Sequence, residues 1–143
     1  MEKWTKTRII ETYDKMRDRS LPYAQWTHQA HIVVGLAFLD VLGLDGSIAQ
    51  MPEAIRKYNV AVGNQNTATE GYHHTLTLLY LRALQQFASS HPEMDLSELV
   101  AAALSAPIAA KDWPLTYYSQ QRLFSVEARA KWVEPDLLPL PVG

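Results

Sequence analysis

Apolar residues at helical spacing run through most of the chain, and they divide it into segments. Between Trp4 and Arg17, the residues Ile9, Ile10, Tyr13 and Met16 recur three or four positions apart with charges between them, which predicts an amphipathic first helix. "DRSLP" ends it, because the residue before Pro22 disfavours helical geometry. A second helix is expected to follow Thr27, a good N-cap, and to run to about Leu42, where "GLDG" breaks it. It is apolar on every side, the signature of a helix buried all round. A third helix is predicted from about Ser47 to Val62, with Ile48, Met51, Ile55, Tyr58 and Val62 on one stripe; Pro52 lies within it or marks its first turn.

After the break at "GNQN", the capping-box spacing of Thr67 and Glu70 in "TATE" predicts the start of a fourth helix that runs to about Ser89. Asp95 with Glu98 caps a short fifth helix. Beyond Pro107 the pattern weakens to two short helices, "SQQRLF" and "SVEARAKWV", each opened by a serine. The Pro-rich tail "EPDLLPLPVG" is expected to be extended and packed on the body through its three leucines. Strand alternation, internal repeats and low-complexity segments are absent from the sequence. The expected fold is a single all-α domain over residues 1–143: an up-and-down bundle of about four main helices with a short helical C-terminal extension.

Composition narrows the chemistry. A net charge of −2 with the two signs mixed gives no electrostatic footprint for nucleic acid or for a membrane surface. Without cysteine, disulfides, thiolate metal sites and thiol catalysis are excluded, so any metal would be held by histidine, carboxylate or other oxygen ligands. The charged N-terminal stretch does not read as a signal peptide, and no apolar run approaches the length of a membrane span. A cytoplasmic location is the resulting expectation.

Two of the five histidines stand three residues apart in "WTHQAHI". At 100° per residue, His28 and His31 share one face with Ile32, Gly35, Leu39 and Leu42. In "GYHHTLTLLYL", His73 shares a face with Leu76, Thr77, Tyr80, Leu84 and Phe87, while His74 sits at that face's edge. In an up-and-down bundle the second and fourth helices run parallel, which would bring His28, His31 and His73 to one level. A helix N-terminus favours neutral imidazole, the metal-binding form. These residues therefore predict a site for one divalent metal, with zinc first and iron or nickel as alternatives.

Around it, Glu70 and His74 are candidate proton carriers, and Tyr72, Tyr80 and Arg122 are candidate substrate contacts; Tyr117 and Tyr118 are further pocket walls. Gly35 and Gly71 are candidates to leave room beside the histidines, with close helix packing the alternative for Gly35; Asn64 and Asn66 are expected to serve the turn before the fourth helix, from which Asn66 could also reach the site, and His91 reads as a loop residue.

Taken together, "WTHQAHI", "YNVAVGNQNTATEGYHHTLT", "YYSQQRLFS" and "EPDLLPLP" resemble a family of small bacterial helical proteins. In that family a Thr-His-x-x-His motif is followed by Asn-Thr, Gly-Tyr-His-Glu-Thr and Tyr-Tyr-Ser segments. The resemblance covers most of the chain from Trp26 onwards and implies that His28, His31 and His73 are the site residues. It lends no activity. His74 departs from the pattern, which has glutamate there. Small helical bundles of the DinB type also hold a metal with three histidines, but in the reverse order along the chain.

The sequence thus predicts a metal-binding helical protein, acting on a small polar molecule if it is an enzyme. Two alternatives stand beside it: a metal-free small-molecule binder that uses the histidines as polar anchors, and a homodimeric helical interaction module in which they are structural.

Overall fold

The computed structural model describes residues 3–140, which are helical and loop throughout, without a strand among them. Helix α1 (Lys6–Arg17) opens on Thr5, whose Oγ1 accepts the Arg8 amide, and buries Ile9, Thr12, Tyr13 and Met16 along one stripe. The chain then turns through Leu21 and a short 3-10 turn to Thr27, the N-cap of α2 (His28–Ala61).

Helix α2 is two arms joined at Gly43, whose φ of 71° and ψ of 179° lie outside helical geometry. The chain doubles back there. Tyr58 donates its hydroxyl to the Leu21 carbonyl at 2.8 Å, and its ring meets Trp26 at 5.5 Å. A straight helix would hold residue 58 roughly 45 Å from residue 28. The two expected helices are therefore both present, as the arms of a hairpin around one glycine. Pro52 lies inside the second arm rather than in its first turn.

By length and composition α2 also meets the description of a membrane span, contrary to the expectation that no apolar run approaches that length. Half of its most apolar window is buried inside the protein, and the first arm ends at Gly43 after about 22 Å of helix. A bilayer core is about 30 Å thick.

Helix α3 (His74–Ser89) begins six residues later than the "TATE" pattern predicts, with His73 rather than Thr67 as its N-cap. Thr67 instead caps a turn: its Oγ1 accepts the Glu70 amide, and its own amide donates to the Glu70 carbonyl. Gly71 then takes a φ of 81°, and a Cβ there would stand 2.1 Å from the Gln65 carbonyl oxygen, so only glycine fits. Asn66 fastens the loop. Its Oδ1 accepts from Asn59 Nδ2 and the Tyr72 amide, and its Nδ2 donates to the Arg56 carbonyl.

Helix α4 (Leu96–Leu104) carries the expected capping box of Asp95 and Glu98, and Ser97 ties it to the Trp4 carbonyl. The first arm of α2, buried from Ile32 to Leu39, is the centre against which α1, the second arm, α3 and α4 pack. It runs parallel to α3, since His28 lies beside Tyr80 and Gly35 beside Leu84.

The other face of α3 is covered by the C-terminal segment. Short helices α5 (Gln120–Leu123) and α6 (Val126–Ala130) are N-capped by Ser119 and Ser125, as the sequence predicts. Leu79, Tyr118, Leu123, Ala128 and Val133 form a second, smaller core between them. The tail departs from expectation. Leu137 and Leu138 are exposed, and Leu140 alone of the three packs on the body. Polar bonds hold this stretch instead: Asp136 accepts from the Ser119 amide and hydroxyl, and the Leu137 amide donates to the Tyr117 carbonyl. The last three residues of the tail lie outside the described residues.

Because nothing lies within 4 Å of a Cβ built on Gly43, Gly43→Ala tests the backbone of the hairpin without a steric clash. That backbone region is essentially confined to glycine, so the substitution should cost about 1–3 kcal/mol in denaturant unfolding. An unchanged midpoint would mean that the chain does not turn there as described.

Candidate functional site

A cavity of about 750 Å³ lies between the hairpin of α2, the start of α3 and the segment before α5. Its walls are largely apolar and aromatic, with Trp26, Ile32, Ile55, Tyr80 and Leu84 among them. Its mouth carries Tyr23 and Phe124, both large and exposed. His28, His31, His73, Glu70, Tyr72 and Tyr80 of the sequence-predicted site all line it, whereas His74 and Arg122 do not.

The three histidines share the cavity but not a level. His28 faces Tyr80 with ring centroids 6.1 Å apart, and Tyr80 stands seven residues beyond His73, about 10 Å along α3. Among the described residues, no group of three His, Cys, Asp or Glu side chains is placed to share a metal ion.

His73 is the N-cap of α3. Its Nδ1 accepts the Leu76 amide at 3.1 Å, and its Nε2 donates to the buried Leu123 carbonyl at 2.7 Å. Only the neutral Nε2–H tautomer satisfies both bonds. One ring thus starts the helix and clamps α5 against it.

His31 stacks on Trp26 at 3.8 Å between centroids, and its Nδ1 donates to the Thr27 carbonyl at 2.7 Å. With that proton fixed, Nε2 of the neutral ring is an acceptor, and it makes no hydrogen bond among the described residues. His28 differs again: its Nε2 is buried and makes no well-formed hydrogen bond, although the Ala109 backbone carbonyl lies near enough to act on the ring. Burial pushes the pKa of His28 and His73 below the usual histidine value. For His28 the nearby Lys111 charge acts in the same direction, while the Ala109 backbone carbonyl opposes it.

The remaining candidates take other places. Glu70 is exposed at the cavity rim, in the turn held by Thr67. His74 Nδ1 shares a 2.7 Å hydrogen bond with the Tyr72 hydroxyl, outside the cavity lining, and the Arg56 guanidinium lies 4.3 Å from the centre of the Tyr72 ring. Arg122 donates to the Glu134 carbonyl and so anchors the tail, outside the cavity lining. Tyr118 is fully buried and donates to the Val133 carbonyl, while Tyr117 packs at the edge of the second core. Burial raises the Tyr80 pKa to about 12, so its hydroxyl keeps its proton.

Sequence reasoning missed Lys111, Trp26 and Phe124 as cavity residues. The sequence puts Trp26 two residues before His28, a usable signal; nothing local pointed to Lys111.

No family model, curated protein or solved structure matches the chain.

The His73 clamp yields a measurable cost. His73→Ala removes a cap worth about 1 kcal/mol and leaves the buried Leu123 carbonyl unpaired, for about 2 kcal/mol or more in all. His73→Asn keeps an N-capping group and should recover about half of that loss in denaturant unfolding. Equal loss in the two variants would contradict the capping role.

Acid has a defined effect as well. Burial makes His28 and His73 harder to protonate in the fold than in the unfolded chain, whose histidines titrate near the ordinary 6.5. The unfolded state therefore binds more protons as pH falls below that value, and stability declines with it. The melting temperature should drop between pH 7 and pH 5, with a smaller drop in His73→Asn. A melting temperature that is flat over this range would rule the effect out.

Proposed function

We propose that the protein binds a small molecule with a flat, largely apolar body in this cavity, using His28 and His31 as polar anchors without a metal. The observation that carries this reading is the unpartnered, buried Nε2 of His28 on a cavity wall. A buried polar atom with no partner costs about 1–3 kcal/mol, and a ligand that supplies the missing hydrogen bond recovers that energy on binding. The surroundings support it. The cavity is within the usual size range of small-molecule pockets, its walls are mostly aromatic and aliphatic, and few polar groups converge there.

The two histidines then have complementary roles. His31 is oriented by Thr27 and by stacking on Trp26, so it presents an acceptor in a fixed plane. His28 carries the nitrogen that the fold leaves unsatisfied. His73 contributes shape and stability, since both of its nitrogens are already occupied.

The test is an NMR titration of the labelled protein with a panel of small planar molecules, accompanied by metal analysis of protein purified without a histidine tag. Shifts centred on Trp26, His28, His31 and Tyr80 are expected, with no stoichiometric metal. His28→Phe should weaken binding about tenfold, the worth of one hydrogen bond at about 1.4 kcal/mol, while changing folding stability by less than about 1 kcal/mol. Stoichiometric metal that is lost in His28→Phe would overturn the metal-free reading. A panel that leaves the cavity resonances unmoved would overturn the binding reading.

A further inference from the structure

One wall of the cavity carries a cation and hydrogen-bonding groups with spare capacity. Lys111 lines the cavity, and none of the ion pairs among the described residues involves it. The Tyr80 hydroxyl makes no hydrogen bond within the described residues and keeps its proton at neutral pH. His28, whose ring lies 6.1 Å from that of Tyr80, has its Nε2 buried and unpaired, and the Lys111 charge is close enough to act on it. Three groups able to donate therefore meet the cavity within one neighbourhood.

We infer that the ligand carries a carboxylate, received at this wall by Lys111, His28 and Tyr80. The inference rests on the small-molecule reading above and specifies the chemistry of that same site. A carboxylate is an acceptor with two oxygens, and it matches a cluster that holds one full positive charge and two neutral donors. A doubly charged phosphate would leave a net negative charge against a single lysine.

The rest of the cavity fits the same molecule. Glu70 is the one acidic side chain on its lining; it belongs to the loop before α3, whereas Lys111 follows α4. Trp26, with His31 stacked on it, and Ile55 offer a flat apolar surface for the body of the ligand. A neutral His31 that accepts at Nε2 suits a hydroxyl or N–H on that body. His31 and the donor wall thus read opposite hydrogen-bonding characters, which would orient a planar acid in one direction.

The experiment compares matched acid and amide pairs, benzoate with benzamide and indole-3-carboxylate with indole-3-carboxamide, by NMR titration of the full chain. In each pair the body is constant and the charge changes. The acid should bind at least tenfold more tightly than its amide to the wild-type protein at low salt. Lys111→Met should remove that preference while leaving amide binding in place, and Tyr80→Phe should reduce it. Wild-type amide binding equal to or tighter than acid binding would overturn the carboxylate inference while leaving the cavity reading intact. A preference for acid that survives Lys111→Met would overturn it too. If neither member of either pair moves the cavity resonances, the binding reading fails and the inference falls with it.

Discussion

The imidazole of His73 is the joint on which the architecture turns. Helix α3 cannot begin where its sequence first suggests, because Gly71 and the loop fastened by Asn66 hold the preceding residues in a non-helical path. The helix starts only where a side chain can take up its free amides, and His73 does so through Nδ1. The opposite nitrogen holds Leu123 fifty residues later in the chain, which draws the C-terminal segment over the outer face of α3. Thr75 reinforces the same seam, donating to the Lys131 carbonyl and accepting the Val133 amide. The small core around Tyr118 and Leu123 closes behind these bonds.

The cavity is a consequence of two such constraints acting together. Gly43 folds α2 back on itself, so that Ile55 and Tyr58 return to the level of Trp26. The His73 clamp fixes α3 and the residues around Leu123 on the other side. Between them the chain leaves a space that it does not fill, and it lines that space with groups whose hydrogen-bonding capacity is unused. A fold under selection for stability alone would be expected to fill such a cavity or to pair its buried nitrogen. Retaining both is the physical reason to read the site as functional.

Much of this was legible in the sequence because it depends on neighbours along the chain. Thr27, Asp95 with Glu98, Ser119 and Ser125 all cap the helices they were expected to cap, since an N-cap needs only its own next three residues. Thr67 with Glu70 misled for an instructive reason: the same two residues can cap a helix or a turn, and the deciding contact is between Gly71 and the Gln65 carbonyl. The shared face of His28 and His31 was readable from the 3.6-residue period, whereas His73 is an N-cap in extended backbone whose direction that period does not set. The axial offset of His73 from His28 was not readable, because periodicity fixes the angle around a helix and leaves the register between helices to packing, here Gly35 against Leu84. Lys111 and Arg122 show the limit most plainly. Lys111 lies in an irregular segment and Arg122 on the four-residue helix α5, and in both cases long-range partners decide whether the cation meets the cavity or the tail.

The most direct test of this division of labour is the protonation state of each histidine ring, read by long-range nitrogen–proton NMR. The account predicts that His73 is the neutral Nε2–H tautomer with an unprotonated Nδ1, and that its signals do not move when zinc is added or a chelator is applied. Signals of His28, His31 and His73 that shift together on adding zinc, and return together on chelation, would contradict it.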